Sequence, residues 1–104
     1  MVVTTGNAVE GREIEAYLGV VRGIVVRSQN IAQGLVGGLK QIMGGNIREY
    51  ETVCEAARQE AFQRMVRHAL EINADAIIAM RYDATEYATG ATEVLAYGTA
   101  VKLK

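Results

Sequence analysis

The sequence predicts an α+β domain of β-β-α-α-β-β order, with one long helix packed on a mainly antiparallel sheet. Three observations lead there. Apolar side chains recur at i, i+3, i+4 spacing across residues 46–72, the mark of an amphipathic helix. Ile24-Val25-Val26, Ile77-Ile78-Ala79-Met80 and Val94-Leu95-Ala96-Tyr97 are apolar runs of strand length. The two segments 76–87 and 92–103 flank Thr89-Gly90 closely enough to form an antiparallel hairpin.

The elements follow in order. Residues 1–5 read as a short first strand, ended by Gly6-Asn7, a dipeptide suited to a tight turn. Residues 13–27 form one long second strand, with a bulge or bend expected near Gly19 and Gly23. Over residues 28–45, Ile31, Leu35, Leu39 and Ile42 recur at helical spacing among five glycines, which predicts a short, glycine-weakened helix. The long helix starts at Asn46, an N-cap whose capping-box partner is Glu49, and Asn73 supplies a left-handed residue to close it. Its buried stripe is expected to contain Ile47, Tyr50, Cys54, Ala57, Ala61, Met65 and Ile72. Glu49, Thr52, Gln59, Glu60, Gln63 and Arg67 form a solvated face, laced by Glu60–Arg64 and Arg67–Glu71 pairs at four-residue spacing.

Composition narrows the function classes. At 104 residues the chain reads as a single domain, 1–104. A formal net charge of -1 gives no basic footprint for a phosphate backbone, so nucleic acid is not an expected partner. No apolar stretch is long enough to span a bilayer, so no membrane partner is expected. The N-terminus lacks the pattern of a signal peptide, and one cysteine cannot form an internal disulfide, which together predict a cytoplasmic protein.

The strands point to assembly. A half-exposed sheet should alternate apolar with polar residues, yet the three apolar runs would place apolar groups on both faces. One long helix covers one face, so the other is expected to pack on a copy of the same chain. Beside the buried stripe, Phe62, Val66, Ala69 and Leu70 make a second apolar flank. Open sheet edges raise the same demand.

Gly44-Gly45, Tyr50-Glu51, Ala57-Arg58 with Glu60-Ala61, the run Asn73 to Ile78, and the run Thr92 to Val101 occur in an order that resembles the YbjQ-like family. That family comprises small bacterial domains catalogued under heavy-metal binding, and the similarity spans nearly the whole chain. The resemblance implies a dodecin-like subunit and a homopentameric ring. It implies little chemistry. Asn73 stands where the family usually has glycine, and the short Ala88-Thr89-Gly90-Ala91 connection argues against a ligand role for that loop.

Candidate sites are few. Cys54 and His68 lie fourteen residues apart, about 21 Å along a helix, so they cannot share an ion within one subunit or act as a catalytic pair. Cys54 reads as a small buried hydrophobe and His68 as a packed or interfacial histidine. Asp75, Asp83, Glu86 and Glu93 lie on or beside the last two strands, where a ring would bring copies together in a set that suits a hard cation, but carboxylates scattered on solvated strands read first as plain surface. Gly34-Leu35-Val36-Gly37 and Gly37-Gly38-Leu39-Lys40 lack the ending of a phosphate loop, so close backbone packing explains them better and no cofactor is expected. Arg58 projects at the border of the apolar stripe and should find a carboxylate on a strand or a neighbouring subunit. Arg58, Tyr50, Gly44, Gly45 and Asp75 are therefore the structural or interface candidates, with no catalytic, cofactor or metal residue assigned. The expected function is a non-enzymatic oligomeric scaffold or small-ligand-binding ring. The alternatives are a metal-binding protein with carboxylate or interfacial ligands, and an enzyme with its site between subunits.

Overall fold

A computed structural model describes residues 1–28, 48–88 and 91–104. Its elements are β1 (Val2–Val3), β2 (Ile14–Ser28), α1 (Arg48–Glu71), β3 (Ala76–Ala88) and β4 (Ala91–Leu103). The four strands form one sheet in the order β1-β3-β4-β2, antiparallel except for the short β1–β3 pair. The expected glycine-rich helix, with Gly44 and Gly45, lies outside the described residues, as do Ile47 and the Asn46 cap.

Helix α1 lies on one sheet face, chiefly over β2 and β4. Small side chains let it approach closely. Ala57, Ala61, Met65 and Ala69 are buried against Val21, Val25, Val94, Ala96 and Ala100. At the crossing point Gly23 lies under the helix backbone, and a Cβ there would collide with the Ala61 carbonyl oxygen and come within 2.5 Å of the Met65 nitrogen. Gly23 thus permits contact between two backbones and does not bend its strand. The expected bulge falls at Gly19, where the β2–β4 register shifts and φ reaches 110°.

A second core occupies the opposite sheet face at the other end, where Ala76, Ile78, Val101 and Leu103 are covered by Val9 and Ile14. Between the two cores β3 changes face. Ile78 lies opposite Thr99 and Arg81 opposite Tyr97, so three residues of β3 advance against two of β4. Ala79 absorbs the extra residue with φ of 53°. Its N–H bonds the Gly6 carbonyl at 2.7 Å and the Met80 N–H bonds Thr4 at 3.0 Å. The bulge turns Met80 toward the helix, where it is buried, and leaves Arg81 on the far face.

The turn after α1 closes as the sequence predicts. Asn73 takes φ of 62°, and its N–H and that of Ala74 bond the carbonyls of Leu70 and Ala69 at 3.0 Å each. Asp75 then pins the turn to β4, because its carboxylate accepts the Leu103 N–H at 2.9 Å and the Lys102 ammonium at 3.4 Å.

Candidate functional site

Each expected site residue has a definite place. Tyr50 lies in the first turn of α1, and its side chain is outside the described set. Arg58 does not reach a strand carboxylate. Its side chain is 51% exposed and among the described residues its ion-pair partner is Glu55, one turn away, at 3.8 Å. Cys54 is exposed, which corrects the expectation of a buried hydrophobe. The reason is the extent of contact along α1: among residues 51–57 only Ala57 is buried, so the stripe pattern outruns the packing. Ile72 is likewise 38% exposed, just past the helix end.

His68 is packed, as expected, and its role is specific. Its Nδ1 accepts the backbone N–H of Arg22 at 3.2 Å, on the outer edge of β2. One turn earlier Arg64 donates to the Ile24 carbonyl at 2.6 Å. These side chains satisfy backbone groups that an edge strand would otherwise offer to another chain. Glu60, expected on a solvated face, is half-buried between two guanidiniums, with Arg27 at 2.7 Å and Arg64 at 2.8 Å. Among the described residues no ion pair joins Arg67 to Glu71.

The carboxylates do not converge within one chain. Asp83 and Glu93 occupy neighbouring rows of the far sheet face, Glu86 sits on the helix side, and Asp75 lies at the opposite end. Among the described residues no group of three or more His, Cys, Asp or Glu side chains could hold a metal ion. The Leu103 amide, aided by Lys102, holds the Asp75 carboxyl below its ordinary value, outweighing desolvation. Burial pushes the Tyr82 phenol up, with the Glu55 charge adding to the effect and Arg58 opposing it.

Two surfaces carry apolar groups without cover from the described chain. On the outer side of α1, Phe62, Val66 and Leu70 line a shallow groove of about 300 Å³ bordered by Gln59, Gln63 and Arg67. On the far face of the sheet Val20 is 64% exposed and Ile24 41%. Sequence reasoning found the first through its period. It missed the row formed across the second face by Arg22, Tyr97 and Arg81, which are direct neighbours on three strands. The i, i+2 pattern Val20, Arg22, Ile24, Val26 on β2 is the signal that marks that face.

The comparisons agree with this fold. A protein of unknown function from Pediococcus pentosaceus, assigned to the DUF74 family, superposes with a TM-score of 0.65 over 100% of this chain and 98% of its own, at 18% identity. A UPF0145 protein of Legionella pneumophila strain Corby is 61% identical over 97% of this chain and 96% of its own length. A UPF0145 protein of Chromobacterium violaceum is 54% identical over 98% and 87%. The YbjQ_1 family model, described as "Putative heavy-metal-binding", matches residues 1–104, and the chain belongs to that family.

Proposed function

We propose that this chain is the subunit of a closed, non-enzymatic homo-oligomer, a dodecin-like homopentameric ring that serves as a scaffold or binds a small ligand. One observation carries the reading: among the described residues apolar groups are left open on two sides of the fold, at Leu70 beside half-buried Phe62 and Val66 on the helix and along Val20, Ile24 and Val26 on β2. Two separate patches suit a head-to-tail contact, which closes into a ring when the rotation between copies permits. The shape supports it. The radius of gyration is 17.0 Å, against about 13 Å for a compact domain of 100 residues. Strands of 15 and 13 residues make a blade longer than the described helix covers by itself.

Light scattering coupled to size exclusion in neutral buffer tests the proposal. The expected mass is five times the 11.3 kDa of one chain. A monomer mass at micromolar concentration overturns it, whereas another closed number removes only the pentamer.

A second reading, a metal-binding protein with carboxylate or interfacial ligands, draws on the family description and on one feature of this chain. The Cys54 thiol is exposed, so a neighbouring copy could supply it with further ligands. Packing against the sheet does not turn it away, contrary to the sequence expectation.

A further inference from the structure

We propose that the contact between copies is heterologous: the flank of α1 formed by Phe62, Val66 and Leu70 on one copy seats on the Ile24–Val26 end of the far sheet face of the next, with Arg67 against Glu93. This rests on the oligomer proposed above and names the two surfaces that meet. Helix geometry relates them. Ala61, Met65 and Ala69 point into the sheet, and Phe62, Val66 and Leu70 each follow one of them by a single residue. One residue turns about 100° round a helix, so the flank faces about 100° away from the direction of the buried stripe. That direction is also the outward normal of the far face at β2, because Val21 and Val25 meet the stripe while Ile24 and Val26 alternate to the other side.

The angle decides what the two surfaces do together. A twofold axis through either surface pairs it with itself and leaves the other open. Pairing one with the other turns each copy from the last by the remainder from a straight line, about 80° when both normals lie in the plane of rotation. This lies between the quarter turn of a four-membered ring and the fifth of a turn of a five-membered one. The contact therefore closes on a small number of copies. The opposite flank of α1 is already engaged, since Arg64 and His68 reach the outer edge of β2 there.

Charge selects which end of the far face is met. Arg67 borders the flank beside Val66. On β2 the exposed Arg22 stands between Val20 and Ile24, so its like charge turns Arg67 away from that end. Toward the other end Glu93 is directly opposite Val26, and Asp83 lies in the row of Ile24 and Leu95. Among the described residues none of Arg67, Glu93 and Asp83 belongs to an ion pair, whereas Glu60 already holds both Arg27 and Arg64. A guanidinium on one surface and carboxylates on the other thus stand without partners until the two surfaces meet. Apolar groups supply the area of the contact and this charge pair its register.

Leu70→Asp and Val26→Asp each place a charge in one surface and leave the other intact. Both positions are exposed, so the fold should hold, and circular dichroism checks it. Mass is read by sedimentation across a dilution series. Each variant alone is expected as a monomer of 11.3 kDa. Their equimolar mixture should reach twice that mass and no more, because one intact contact joins the two and the cycle cannot close. Arg67→Glu and Glu93→Arg should each raise the concentration at which the assembly dissociates about fivefold or more, and the doubly reversed chain should return toward wild type. If either aspartate variant fails to fold, these reversals decide. A variant that remains a dimer by itself, or a mixture that stays monomeric while wild type assembles, overturns the heterologous contact and leaves the oligomer standing. A double reversal no better than the single ones overturns the seat at Glu93. A wild-type monomer overturns the contact and the oligomer together.

Discussion

His68 and the backbone of Arg22 meet at the outer edge of β2, where the imidazole Nδ1 accepts the amide hydrogen at 3.2 Å. A backbone N–H can only donate, so Nδ1 must be unprotonated and the ring carries any proton on Nε2. The helix thereby caps the strand that ends the sheet. His68→Ala should cost about 1 kcal/mol through this bond, while His68→Gln, which keeps an acceptor, should recover part of the loss. Urea unfolding of the three proteins reads the difference. Equal losses for the two variants would show that packing of the ring, rather than its acceptor, matters here.

Gly23 should resist any side chain. Its Cβ position is occupied by the Ala61 carbonyl, the Met65 amide and the Arg64 Cβ, and two of these are backbone atoms that cannot rotate away. Gly23→Ala is expected to destabilise by about 1 to 3 kcal/mol as the helix lifts from β2. Gly19→Ala fails for another reason, since nothing lies within 4 Å but φ is 110°. A melting temperature unchanged by Gly23→Ala would contradict the close crossing of helix and strand.

Ala79 holds a left-handed conformation that costs an L-residue about 1 to 2 kcal/mol and costs glycine nothing. Ala79→Gly should therefore stabilise the fold by about 1 kcal/mol after the added freedom of the unfolded chain is subtracted. The same change should leave the β3–β4 register intact, so amide exchange across the hairpin should slow or stay the same. A destabilised Ala79→Gly protein would mean that the methyl group contributes packing which outweighs the strain.

That bulge also marks where the sequence stops being readable. The long helix, the long second strand, the shift at Gly19 and the left-handed Asn73 were all legible, because each follows from period or from local backbone chemistry. The row Arg22–Tyr97–Arg81 was not. Counting alternate residues from Ile78 puts Met80 on the far face and Arg81 toward the helix, and only the extra residue at Ala79 exchanges them. An alanine gives no warning of positive φ, as a glycine would have. The reach of packing along a periodic helix is equally invisible, which is why Cys54 was expected in the core and is exposed.

Asp75 should give stability a specific acid dependence. The bond from the Leu103 amide favours the ionised form, so the folded-state carboxyl titrates below its ordinary value of 3.8. The unfolded chain therefore binds the proton more readily. This contribution is complete above the ordinary value and is lost as pH falls from there through the depressed folded value. Asp75→Asn should remove that portion of the dependence below about pH 4 and lower stability at neutral pH. Parallel curves for wild type and Asp75→Asn between pH 5 and the acid transition would rule out the coupling.

Soft-metal binding should be weak and should survive loss of either soft ligand. Each chain offers one thiol and one imidazole, and fourteen helical residues place them about 21 Å apart. The His68 Nδ1 is already engaged by the Arg22 amide, so only Nε2 remains for a metal. Zinc takes about four ligands at roughly 2.0 to 2.3 Å, and among the described residues no group of three candidate ligands exists. Exposure of Cys54 leaves symmetry as the one route, because copies of the thiol from several chains could meet at an interface or an axis. Calorimetric titration with zinc and cadmium, on the native protein and on Cys54→Ser and His68→Ala, tells these apart. Weak binding unchanged in both variants is the expected result and directs attention to Asp83 and Glu93. Submicromolar binding that Cys54→Ser abolishes would reverse the conclusion, since only thiolates gathered from neighbouring copies could produce it.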